Sequence, residues 1–383
     1  MSIVIVDARE WQNMLDLKTG EKIQVENYST EILRGVLQRH HYPGDVDQLS
    51  NRWVSETALD LIGQYHPQLV CLMYSRQYFI SRFNPLSETE RIRLLEEVFS
   101  EVEFMLAQSG YTPVIVGTGN LTEHIAELDL NGLDGLAISG NWSARYAGLH
   151  KPTPKDLAYL STLPEIERIA ARQELIDLFP GAECILERIP EYLLVAKEGF
   201  TFRTSGTPGR KIYRVPGISY QIPVATPLGN VETITGLRKL VRDNLKDHKI
   251  ALIILEGIGE QDFRTPYSAS KNSMGWYYYE PGENQLLTMS TGTQQVFAFP
   301  NGYNYLEEND NKEFPFSGYF KKIPAGTIAE DSGFRSIAVG NHSMHTHMVF
   351  GADICVECFA RNLYNQGCMG VIHRTAEIQQ ENH

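Results

Sequence analysis

The chain is short of cysteine, of positive charge and of long apolar runs. Five cysteines among 383 residues follow no framework spacing, which excludes a disulfide-stapled scaffold and suits a reducing compartment. Lysine and arginine number 34 against 47 aspartates and glutamates, a formal charge of −13. That balance argues against broad binding to nucleic acid or to an anionic membrane, since both demand a basic surface. It leaves room for a local cationic pocket that takes a small anion. No apolar run approaches the ~18 residues of a membrane-spanning helix, and the opening MSIVIVDAREWQ has neither a basic n-region nor a cleavage site. We therefore expect a cytoplasmic protein whose partner is a small anionic molecule. Internal repeats and low-complexity tracts are also absent.

What is present is ordinary globular material: 42% hydrophobic and 21% charged residues, enough to bury a sizeable core. Short β-prone runs end abruptly in polar residues at 2–6, 69–73, 113–116 and 249–255, as buried parallel strands do. Between them lie amphipathic patterns with start signals. Ser29 opens one that places Ile32, Val36 and Leu37 on a single face; residues 53–65 form another. Asn84-Pro-Leu-Ser-Glu-Thr-Glu90 caps a long third that runs to about Gln108. A fourth, from Thr233 to Asn244, turns Leu237, Leu240 and Val241 inward. The alternation predicts an α/β protein with a predominantly parallel central sheet and flanking helices. Residues 152–196 read as helical and charged. The most probable seam is 208–226, dividing an N-terminal half (1–200) from a C-terminal half (201–383), which can also interleave into one domain.

Chemistry concentrates in GNHSMHTHMVFGADICVECFARNLYNQGC, residues 340–368. His342, His345 and His347 fall within six positions, and in extended chain His345 and His347 share a face. Such a group can hold zinc, manganese or iron, or can be surface or core histidines. Ala352, Cys355, Phe359 and Leu363 recur at helical spacing, so Cys355 and Cys358 read as the buried face of a helix rather than a reactive pair. The 249–255 strand runs into Glu256-Gly-Ile-Gly-Glu-Gln-Asp262, which offers Glu256 and Asp262 as acid–base or cation-binding groups, or as first-turn charges of a following helix. Arg203, Thr204, Ser205 and Lys211 mix cations with hydroxyls and glycines in nine positions, a composition suited to an anion. Arg145 is a further candidate anion ligand. Gly117-Thr-Gly-Asn120 reads as a packing turn or a ligand loop.

Residues 250–259, IALIILEGIG, resemble the first strand of the alkaline phosphatase superfamily, in which an apolar strand ends in Asp-Gly-x-Gly and the Asp binds metal. Here Glu256 occupies that place. LVCLMYSRQYFISRFNPLSETERIRLLEEVFSEVEFML followed by TPVIVGTGN is similar to the superfamily's strand, Gly-Pro turn, long helix and strand, with Arg76, Ser81, Gly119 and Asn120 roughly where the family carries Asp and His ligands. In this chain that patch precedes the first-strand segment. The resemblance implies a site made of Glu256, of Ser290 or Thr291 as nucleophile, and of His342, His345 and His347 as metal ligands. The expected function is a metal-dependent enzyme on a small anionic substrate, most simply phosphoester hydrolysis or transfer. The alternative is a non-catalytic binding or assembly protein on the same fold.

Overall fold

A computed structural model describes residues 28–139, 145–204, 211–298, 324–330, 332–342, 346–358 and 368–372, and the backbone alone at 3–7 and 373. Among these residues nine strands form one sheet. Their spatial order is Ile3–Asp7, Cys368–His373, Ile354–Cys358, Ser336–Gly340, Leu69–Tyr74, Ile250–Leu255, Thr112–Gly117, Gln221–Ala225 and Ser268–Lys271. The five central strands, from Ile354–Cys358 to Thr112–Gly117, are parallel to one another. The two strands on each flank are antiparallel. The α/β expectation therefore holds, whereas the sheet is mixed rather than predominantly parallel.

The centre is parallel because its strands are apolar on both faces. Leu69–Tyr74 and Ile250–Leu255 are buried at every position, so each needs covering layers above and below, and parallel strands joined by crossover helices supply them. Leu69, Cys71 and Met73 enter one core with Leu237, Val241, Leu286 and Val349, while Val70, Leu72 and Tyr74 enter the other with Val36, Trp53, Leu61 and Val98. Helices Tyr28–Arg39, Ser50–Tyr65 and Glu88–Ser109 cover the second face. The last of these begins as the sequence signals: the Ser87 hydroxyl accepts a hydrogen bond from the Glu90 backbone N–H at 3.3 Å, and Glu90 accepts one from the Ser87 N–H at 2.8 Å.

Three expectations require correction. The first strand, Ile3–Asp7, is an antiparallel edge strand paired with Cys368–His373; its β-branched run could not by itself reveal which neighbour it would meet. Residues 152–196 are helical at Pro154–Leu160, Arg172–Leu178 and Ala182–Arg188 but not throughout. They contain the strands Ile166–Ala171 and Tyr192–Ala196, which with Leu136–Ser139 and Tyr146–His150 form a separate antiparallel sheet over its own small core. The proposed helix through Ala352 and Cys355 is the strand Ile354–Cys358; Phe359 and Leu363 lie outside the described residues. Its pattern is not periodic because both of its faces are buried. Strands from 1–200 are interspersed among those from 201–383 within the main sheet.

Candidate functional site

The carboxyl ends of the central parallel strands carry a continuous polar network. Ser75, just past Leu69–Tyr74, donates its backbone N–H to Asn341 Oδ1 at 2.7 Å. Asn341, just past Ser336–Gly340, donates to Ser50 Oγ at 2.8 Å and to Asn51 Oδ1 at 2.9 Å. Asn51 donates to Gln77 Oε1 at 3.2 Å, and Gln77 donates to the carbonyls of Tyr74 at 2.6 Å and Glu256 at 2.8 Å. Three strand ends are thus tied together by buried amide side chains, which sets the positions of the groups they carry.

On this frame His342 Nδ1 lies 2.7 Å from Glu256 Oε2. The glutamate is 1% exposed and the histidine side chain 13%. The two residues stand 86 apart in sequence, and the His342 ring spans the turn after Leu69–Tyr74 to reach the end of the neighbouring strand. Tyr78 stacks on the imidazole at a centroid distance of 6.5 Å and Phe79 tilts against it at 5.2 Å. Arg82, almost wholly buried, donates from Nη1 to the Tyr78 hydroxyl at 2.5 Å. Burial pushes the Tyr78 hydroxyl above its ordinary pKa; the negative charges of Glu256 and Glu280 act in the same direction, and Arg82 opposes them.

A second histidine–carboxylate pair sits nearby in the sheet. Glu357 is directly opposite Gly340 in the parallel ladder, and a Cβ on Gly340 would come within 2.5 Å of the Thr346 methyl. That close approach lets the short helix Thr346–Phe350 lie on the strands. Glu357 accepts hydrogen bonds at 2.7 Å from both the Thr346 backbone N–H and its hydroxyl, and it contacts His347 Nδ1. Burial works to raise the Glu357 pKa, but the His347 charge and the hydrogen bonds from His347 and Thr346 outweigh it, so the carboxyl titrates below the ordinary glutamate range.

The remaining sequence candidates are dispersed. Asp262 pairs with Arg91 at 2.5 Å, and no helix follows Glu256 until Glu283–Thr291, so these carboxylates are not first-turn helix charges. Ser290 and Thr291 lie on that helix rather than in a turn. Ser290 Oγ accepts from the Ile328 N–H at 3.1 Å, and the Thr291 hydroxyl donates to the Leu287 carbonyl at 2.7 Å. Arg145 is buried, donates to the Ala196 carbonyl, ion-pairs with Glu167 and lies 4.9 Å over the Tyr278 ring. Arg203 is exposed at the end of a short strand, Thr204 Oγ1 contacts Ser139 Oγ at 3.1 Å, and Lys211 sits 4.8 Å over Tyr213. Ser205 and His345 lie outside the described residues. Among the described residues no three histidine, cysteine or carboxylate side chains gather as a metal would require. The Gly117–Asn120 turn packs against the Glu256 turn: a Cβ on Gly117 would lie 2.2 Å from the Ile258 carbonyl, and Thr118 Oγ1 accepts from the Gly257 N–H at 2.8 Å.

The resemblance places Glu256 and His342 in one site, but as parts of a metal site and not as a hydrogen-bonded pair, and sequence reasoning missed Gln77, Tyr78, Arg82, Asn341 and Glu357. Gln77, Tyr78 and Asn341 follow within four residues of fully buried strands, and that position was the available signal. Beside the Glu256 turn lies a depression lined by Gln77, Ser81, Arg91, Arg214 and Gly257. The chain matches no protein-family model, no curated protein and no solved structure. No helix among the described residues is long and apolar enough to cross a membrane.

Proposed function

We propose that the chain is an enzyme acting on a small anionic substrate, most simply a phosphoester, with His342 and Glu256 as its acid–base pair. The observation that carries this reading is the 2.7 Å contact between His342 and a buried glutamate at the carboxyl edge of a parallel sheet, where α/β proteins place their ligands. A buried carboxylate on Nδ1 fixes the ring and its tautomer and stabilises the imidazolium formed when His342 takes a proton. Arg214, lining the adjacent depression, supplies positive charge for the substrate; Arg91, which lines it with Asp262, is already paired with Glu88 and Asp262. The expected metal, zinc, manganese or iron, enters this proposal through His347. Glu357 holds its Nδ1 as a carboxylate holds a metal-bound histidine, and its buried Nε2 has no hydrogen-bond partner among the described residues. With the His347 side chain 1% exposed, a metal held there would serve the fold and not touch the substrate.

The test is a screen of phosphomonoesters, phosphodiesters and carboxylic esters, with and without added zinc, manganese or iron, on the purified chain and on His342→Ala and Glu256→Gln. Turnover that falls about 10²–10⁴-fold in both folded variants supports the reading. Turnover unaffected by either variant sinks it. Tight binding of an anion without turnover selects the binding-protein alternative.

A further inference from the structure

The five cysteines are sorted by the sheet in a way their spacing hides. Cys355 and Cys358 look like a CxxC pair, but they lie three residues apart on one strand and so project to opposite faces. Cys355 joins Cys71 in one core, and Cys358 joins Cys368 in the other. Cys71 and Cys355 both stand opposite Ala338, from either side of its strand. Two strand spacings, about 9.6 Å, separate them, beyond the ~7 Å Cα separation a disulfide tolerates. Cys184 is exposed and lies in the short helix Ala182–Arg188.

Cys358 and Cys368 differ from all of these. They are directly opposite each other in the antiparallel ladder between Ile354–Cys358 and Cys368–His373. Side chains so placed share a face, with Cβ atoms roughly 4.5–5.5 Å apart, close enough for a small movement to reach disulfide geometry. They are the last residue of one strand and the first of the next, and both are buried, at 1% and 2% exposure, so exchange requires this strand end to open locally. The Cys368 thiol donates to the His40 carbonyl at 4.0 Å.

We propose that Cys358 and Cys368 form a reversible disulfide, making this strand end a site of thiol–disulfide exchange with low-molecular-weight disulfides. One thiolate attacks the small disulfide, forms a mixed disulfide and expels a thiol. The second thiolate then attacks the protein-bound sulfur and expels the other thiol. The protein loses two electrons and two protons, and the reagent gains them. The new bond links the ends of the two strands covalently and clamps Cys368–His373, the strand that carries Ile3–Asp7 at the sheet edge. This inference does not depend on the acid–base reading of His342.

The experiment equilibrates the full chain with oxidised glutathione, then denatures, alkylates and weighs it, and maps the linked peptides. The expected result is that two of the five thiols escape alkylation, that one peptide joins Cys358 to Cys368, and that Cys368–His373 amides exchange more slowly in the oxidised protein. Cys355→Ser retains the link and Cys358→Ser abolishes it. Full alkylation of wild type, a link to any other cysteine, or glutathione attached at Cys184 alone overturns the proposal. The wild-type measurement decides even where a variant fails to fold.

Discussion

His342 with Glu256 and His347 with Glu357 are the same two functional groups joined through the same ring nitrogen, yet their surroundings differ. The Glu357 pair is closed on every side: histidine and glutamate are 1% and 0% exposed, and two further hydrogen bonds from Thr346 fill the carboxylate. Glu256 is equally buried, but its histidine emerges beyond the strand end and lies against aromatic rings. A buried charge with all its partners inside holds structure together, because removing one partner strands the other in a medium that cannot solvate it. A pair open at one end can exchange a proton with something that arrives. Exposure of the imidazole, 13% against 1%, rather than the identity of the residues, separates the two pairs.

The sharpest way to break this comparison is to neutralise each carboxylate. Glu357→Gln removes the anion facing His347 and is expected to cost about 3–5 kcal/mol, read as a lower urea midpoint. Glu256→Gln is expected to lose activity while keeping most of its stability; if both variants unfold alike, the distinction between the pairs fails.

Titration gives the next largest effect. Because the folded-state pKa of Glu357 is depressed, its stabilisation is complete above the unfolded value of about 4.3 and is lost as pH falls through the lower folded value. Glu280 has the opposite sign. Burial raises its carboxyl to about 7, partly countered by the Arg145 backbone N–H and by the charges of Arg145 and Arg82. The folded state therefore binds more protons there, and stability drops as pH rises from about 4.3 toward 7. Chemical denaturation across pH should show an acid-side loss that Glu357→Gln removes and a neutral-side decline that Glu280→Gln flattens.

Smaller effects should appear away from the pairs. Ser87→Ala breaks the capping box of Glu88–Ser109 and is expected to cost about 1 kcal/mol, measurable by thermal unfolding. Asp262→Asn removes a partly exposed ion pair with Arg91 and should cost less than ~1 kcal/mol. A large loss in that variant would show that Asp262 supports the Glu256 turn more strongly than its contacts indicate.

Much of the central architecture was legible from local rules. The runs at 69–73, 113–116 and 249–255 announce buried strands because no solvated face interrupts them, and Ser87 with Glu90 announces a helix start. The segment around Cys355 was misread because a strand buried on both faces has no alternation, so chance recurrence of apolar residues resembled a helix. The strands within residues 152–196 escape local reading because Ile166–Ala171 carries the outward charges Glu167 and Arg168, while Tyr192–Ala196 is an almost wholly buried apolar run with no alternation. Within the candidate site, histidines and carboxylates could be picked out by type but not matched.

The sequence by itself determined the composition class, the apolar strands, the capped long helix and the pool of residues capable of chemistry, because each depends on neighbours within a few positions. Tertiary structure alone decided that the sheet is mixed, that Cys358 meets Cys368 rather than Cys355, and that Glu256 holds His342 while Glu357 holds His347. Those pairings depend on the order in which strands lie side by side. That order is set by how both faces of the sheet are covered, which no local stretch of sequence contains.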